Sequence, residues 1–144
     1  MISTKASRTL AAVLIVAGGS YFAFGAGQPR QTKEAVTQDT FVLPELSAEA
    51  REGERYFNAV CAACHGRNGL GTEQGPPLVH DIYNPGHHGD QAFVIAAQNG
   101  VRGQHWPFGN MPPQQVTRAE VARITAYIRE LQQANGITYR PHNM

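Results

Sequence analysis

Two thiols and an imidazole stand within five residues of this chain, as Cys61-Ala62-Ala63-Cys64-His65. Thiols at that spacing at the end of a helix can add to the two vinyl groups of a porphyrin. The histidine that follows can put a ring nitrogen on the iron, so the pattern reads as a c-type haem attachment. Cys61 and Cys64 are the only cysteines, and no disulfide framework competes for them. In an oxidising compartment two free thiols so placed would tend to join; as thioethers both are consumed. An iron held by His65 needs either a second axial ligand or an open position, and that choice separates electron transfer from catalysis. Away from the chain ends the only methionine is Met111, within Phe108-Gly109-Asn110-Met111-Pro112-Pro113. Glycine and prolines fix such a loop in one shape, which a weak sulfur–iron bond requires. Met111 is therefore the expected second ligand, against the plainer reading of a methionine that fills a gap in packing.

These residues need elements to position them. Ser47 can cap a helix over Ala48–Val60, with Glu49 and Glu52 favourable in its first turns. Gly53, Phe57 and Val60 share one face of it, and the small Gly53 would admit another backbone. The chain then turns irregular through Gly66, Gly69, Gly71, Gly75, Pro76 and Pro77. A second helix is predicted from Asp90 or Gln91 to Gln98, capped by Asp90 and closed by Asn99-Gly100. The last helix opens with the capping box Thr117-Arg118-Ala119-Glu120. It carries the stripe Val121, Ile124, Ile128 and Leu131, joined by Tyr127, and stops at Asn135-Gly136. No long alternating segment argues for a sheet. The expectation is an all-α domain of three to four helices with long loops, whose small apolar core a large apolar cofactor would complete.

With 144 residues the chain is sized for one such domain. Lys5 and Arg8 precede a stretch from Thr9 to Pro29 without a charged residue. As a helix it would be about 31 Å long, enough to span a bilayer. Residues 1–27 are read as a signal-anchor, with a cleaved signal peptide as the alternative. Residues 28–46 read as a polar tether, 47–136 as the domain and 137–144 as a tail. Lys5 and Arg8 would stay inside, placing the rest on the periplasmic side of a bacterial inner membrane. From Glu45 onward there is one more acid than arginine, so no basic surface and no nucleic-acid partner is expected.

From about Ser47 to Gln133 the chain resembles class I mono-haem c-type cytochromes, the small bacterial ones in particular. Gly53 and Phe57 precede Cys61 at the spacing with which that family crosses its first helix over its last. Ile124 and Tyr127 fall where the last helix presents its aromatic partner. Gly75-Pro76-Pro77-Leu78 is similar to the family's Gly-Pro-x-Leu segment, and Trp106 to Pro113 to its Met-ligand loop. The resemblance implies one covalent haem c, with the Pro76 carbonyl orienting His65 and Leu78 packing on the haem. It implies a single-electron carrier rather than an enzyme. Its partners would be redox proteins: a quinol-oxidising complex as donor, and a terminal oxidase or periplasmic oxidoreductase as acceptor.

Other residues keep more than one reading. Trp106 can line the haem pocket, give its N–H to a propionate, or simply pack. Arg102 and Tyr83 are further candidates for propionate contacts. His80, His87, His88 and His105 can be solvated loop residues, a substitute for Met111, or ligands of a second metal such as copper. His142 has no argument in its favour. Competing functions are a cytochrome subunit of a larger oxidoreductase, and a haem enzyme or gas sensor with an open sixth position near His105. A thiol–disulfide oxidoreductase using Cys61 and Cys64 would need a βαβ context that is missing here.

Overall fold

In a computed structural model of the protein, residues 36–103 and 106–141 are described. The segment 1–27, His105 and His142 lie outside them. Among the described residues four α-helices carry the architecture: α1 Ala48–Val60, α2 Ala62–His65, α3 Asp90–Asn99 and α4 Arg118–Ala134. Short 3-10 turns at Arg67–Gly69 and Asp81–Tyr83 interrupt the loop between α2 and α3. Among the described residues there is no strand, only an isolated antiparallel bridge between Val101 and Met111. None of their helices is long and apolar enough to cross a membrane.

The ends of α1 and α4 follow from local chemistry. The Ser47 hydroxyl accepts the Ala50 N–H at 3.1 Å. At α4 the Thr117 hydroxyl takes the Glu120 N–H at 3.2 Å, while the Glu120 carboxylate takes the Thr117 N–H at 2.7 Å. This reciprocal pair satisfies two of the donors a helix start leaves open. For α3 the cap differs from the sequence expectation. Gly89 is the N-cap and Asp90 the first helical residue, because Arg129 Nε on α4 holds the Asp90 carboxylate at 2.9 Å.

The core sits where α1 crosses α4. A Cβ on Gly53 would stand 1.9 Å from the Arg123 carbonyl oxygen, so the two backbones touch there. One turn on, the rings of Phe57 and Tyr127 meet at 5.6 Å, tilted by 55°. Both residues are fully buried; burying a side chain such as Phe57 stabilises by about 2 kcal/mol. Ala50, Val79, Ile124, Ile128 and Leu131 belong to the same cluster.

Two segments read as peripheral lie against this core. Leu46 is buried in it, and Val36 and Phe41 pack on it. Asn135 clamps Val42, its Oδ1 accepting the Val42 N–H at 2.8 Å and its Nδ2 donating to the Val42 carbonyl at 2.9 Å. Beyond α4, Ile137 is buried in the same cluster, and Arg140 pairs with Asp81 at 2.9 Å. The polarity of 28–46 and 137–144 hid these few apolar anchors.

Candidate haem site

Cys61 ends α1, and Cys64 and His65 fall on the single turn of α2. The two helices are nearly continuous, with the Cys61 N–H still donating to the Phe57 carbonyl at 2.8 Å. The motif therefore hangs directly from the buried α1–α4 crossing. Both thiols are free; Cys61 is half-buried and Cys64 exposed. Burial, then the neighbouring Cys64, pushes the Cys61 thiol up to about 11.

After His65 the chain folds back on the motif. Gly66 turns it with φ of 74°, a conformation open to glycine at little cost. The Gly71 N–H then donates to the His65 carbonyl at 2.7 Å, and the Thr72 hydroxyl to the Cys64 carbonyl. This wrap carries Pro76 over the imidazole, where its carbonyl oxygen lies 2.9 Å from His65 Nδ1. A carbonyl can only accept, so Nδ1 carries the proton and Nε2 keeps the lone pair. Burial of the ring lowers the His65 pKa, and the bond to Pro76 partly opposes that. A neutral imidazole with a fixed tautomer is the form that ligates iron.

Met111 is placed from another direction. Its N–H and carbonyl pair with those of Val101, both bonds being 2.9 Å. Gly100, which ends α3, makes room for this. It has φ of 75°, and a Cβ there would stand 2.5 Å from the Met111 carbonyl oxygen. The Gln114 N–H donates to the Ala97 carbonyl at 2.7 Å, tying the far side of the loop to α3.

The remaining candidates are placed as follows. The Leu78 side chain packs on the core cluster, and its N–H donates to the Gly69 carbonyl at 2.7 Å. The Trp106 indole N–H goes to the Tyr83 hydroxyl at 3.1 Å. Its single donor is thereby engaged within the chain. The Tyr83 hydroxyl, which the sequence offered as a propionate contact, accepts this bond and keeps its own O–H to donate. His80 caps the second 3-10 turn, its Nδ1 accepting the Ile82 N–H at 3.2 Å. Burial lowers its pKa, against a smaller opposing effect of Asp81. His88 Nδ1 donates to the Ile82 carbonyl at 2.7 Å. Among the described residues no three His, Cys, Asp or Glu side chains gather as a metal site. Arg102 is exposed.

Sequence reasoning missed Arg129 and Gln132 on α4. Arg129 donates to the carbonyls of Tyr83 and His88 and pairs with Asp90. Its guanidinium also lies 4.9 Å from the centre of the Phe93 ring. Gln132 is fully buried. Both flank the apolar stripe of α4, and only a buried polar residue beside a stripe could have signalled them.

The family model for cytochrome c matches residues 50–132, more than half of the chain. The chain belongs to the cytochrome c family. A solved structure, cytochrome cL from the marine methylotrophic bacterium Methylophaga aminisulfidivorans MPT, is similar at 29% identity with a TM-score of 0.47. The match covers 57% of this chain and 52% of that one, so the chain spans about half the length of that structure. No curated protein matches the chain.

The cofactor of this cytochrome is one covalent haem c, and the donor set fits it. Two free thiols at C-x-x-C spacing precede a neutral imidazole whose Nδ1 is already committed to the Pro76 carbonyl. That leaves two sulfurs for thioethers and one nitrogen for the iron.

Proposed function

We propose that the protein is a single-electron carrier in which His65 and Met111 are the two axial ligands of the haem. The observation that carries this reading is the fixed backbone of Met111, paired on both its N–H and its carbonyl to Val101. A bound haem c supplies reversible Fe(III)/Fe(II) exchange. Around it the chain's own residues hold geometry. Pro76 fixes the His65 tautomer and raises its strength as a donor. The Val101 pair and Gly100 keep the methionine loop from sliding along α3. With both arms fixed before the electron arrives, little rearrangement accompanies the transfer. A thioether ligand favours the reduced iron, so a comparatively positive potential is expected.

Redox proteins are the proposed partners: a quinol-oxidising complex as donor, and a terminal oxidase or periplasmic oxidoreductase as acceptor. The charge-free stretch from Thr9 to Pro29 supports an N-terminal anchor. It would keep the domain on the periplasmic face, at a high effective concentration beside membrane partners. Detergent extraction of the native membrane fraction, followed by N-terminal sequencing of the haem-bearing band, tests the anchor.

Carbon monoxide tests the ligation. The reduced parent protein resists it, and Met111→Ala binds it rapidly and stoichiometrically. Rapid binding by the parent would replace this reading with an enzyme or sensor that has an open sixth position.

A further inference from the structure

The loop that orients His65 and the loop that carries Met111 are joined by one amide and one phenol. Gln132 Nε2 donates to the Leu78 carbonyl at 2.9 Å, two residues beyond the Pro76 that orients His65. The same nitrogen lies 3.1 Å from the Tyr83 carbonyl, which also accepts from Arg129 Nη1 at 2.7 Å. The Tyr83 hydroxyl in turn accepts the Trp106 indole N–H at 3.1 Å, on the loop that carries Met111. The Trp106 ring meets the edge of His80 at 5.1 Å as well.

We propose that Tyr83 is a positioning residue for Met111. It holds the tip of the methionine loop through Trp106, and Gln132 and Arg129 hold it at a fixed offset from the loop that orients His65. The proposal rests on the His65/Met111 reading above. The Val101 pair secures the base of the methionine loop and leaves its tip, with the bulky indole, to be held elsewhere. An indole has one donor, and here it is spent on a phenol whose backbone is bound twice to α4. Burial raises the Tyr83 pKa, against a smaller opposing effect of the Trp106 bond, so the hydroxyl stays protonated at neutral pH. A methionine side chain is flexible and its sulfur–iron bond weak, so the position of the loop decides how well external ligands compete with it.

The test uses the haem-loaded full chain. Tyr83→Phe removes the hydroxyl and keeps the carbonyl bonds to Gln132 and Arg129, so the fold is retained. Trp106 is the only tryptophan, so its indole N–H gives one resonance in protein labelled with 15N-tryptophan. Hydrogen exchange at that N–H is expected to speed up about tenfold in Tyr83→Phe, as loss of one partly buried hydrogen bond implies. Imidazole affinity of the oxidised protein is expected to rise about tenfold, the scale on which outer-shell partners tune metal ligation. Trp106→Phe should raise imidazole affinity equally, and the double variant no further. Tyr83→Phe with parental imidazole affinity, alongside a raised affinity in Met111→Ala, overturns the proposal alone. Additive effects of the two substitutions overturn it too, because Tyr83 would then not act through Trp106. Unchanged affinity in Met111→Ala overturns the His/Met reading and this proposal together.

Discussion

Where α1 crosses α4, backbone lies on backbone and buried rings fill the gap. Where the 71–78 loop and the methionine loop meet the helices, single hydrogen bonds from side chains and backbone span it. The crossing is held by apolar area, which is cooperative and indifferent to direction. The loops are held by directed bonds that each satisfy one carbonyl or one N–H, among them Gln132 to Leu78 and Trp106 to Tyr83. A cytochrome needs both. The crossing supplies the stability from which the Cys61–His65 motif hangs, and the polar bonds supply a ligand geometry that apolar packing alone does not specify.

If that contrast is right, the largest loss of stability comes from the crossing. Gly53→Ala gains about 1 kcal/mol of helix propensity, yet its Cβ would stand 1.9 Å from the Arg123 carbonyl oxygen. Backbone cannot give way as a side chain can, so α1 and α4 must separate, at a net cost on the order of 3 kcal/mol. Guanidinium unfolding of the haem-loaded protein reads this as a lower midpoint. A midpoint at or above the parent's would mean the helices do not touch there.

Next in size is Gln132→Leu, which keeps the volume and removes the bonds. The Leu78 carbonyl loses a buried donor, and an Arg129 N–H loses its acceptor at 2.6 Å. The expected cost is about 2 kcal/mol. Amide exchange should show the loss concentrated in residues 78–90, with α1 protected as before. Uniform loss across both regions would erase the distinction between them.

Tyr127→Phe is smaller and belongs to both regions. The ring stays packed on Phe57, while the hydroxyl loses its bond to Asn68 Oδ1 at 3.1 Å. About 1 kcal/mol is expected from equilibrium unfolding. In the parent the Tyr127 hydroxyl is raised to about 12, by burial first and Glu54 next. Absorbance titration should therefore find it the last tyrosine to ionise.

The same division explains what was legible from residues alone. Gly53, Phe57, Ile124 and Tyr127 announce the crossing by spacing, because a helix face repeats. Ser47 and the Thr117/Glu120 pair announce helix starts because capping is local. The Cys61–His65 motif is likewise local and carries its own chemistry. Arg129 and Gln132 made no such signal: their side chains' hydrogen-bond partners outside α4 lie 39 to 54 residues away, and nothing periodic links them. The destination of the Trp106 N–H stayed open for the same reason, since Tyr83 is 23 residues distant. Asp90 misled for a related cause, a good capping residue drawn instead to an arginine on the next helix.

Acid should separate the regions in order. His80 has a folded pKa below its ordinary 6.5, through burial. The unfolded chain therefore binds more protons there, so stability falls as pH drops below 6.5 and levels off at the folded value. Protonation would also cost the lone pair that accepts the Ile82 N–H, loosening the turn on which Tyr83 sits. Glu120 is held below its ordinary 4.5, first by the Thr117 N–H and then by the Thr117 hydroxyl. Its contribution is complete above 4.5 and disappears as pH falls through the lower folded value. The Trp106 indole N–H should thus lose exchange protection once pH falls below 6.5, while amides at the start of α4 keep theirs until below 4.5. The effect at Glu120 is the smaller, because its carboxylate faces solvent and salt screens it. Simultaneous loss at both sites would mean that the crossing and the loops unfold as one unit.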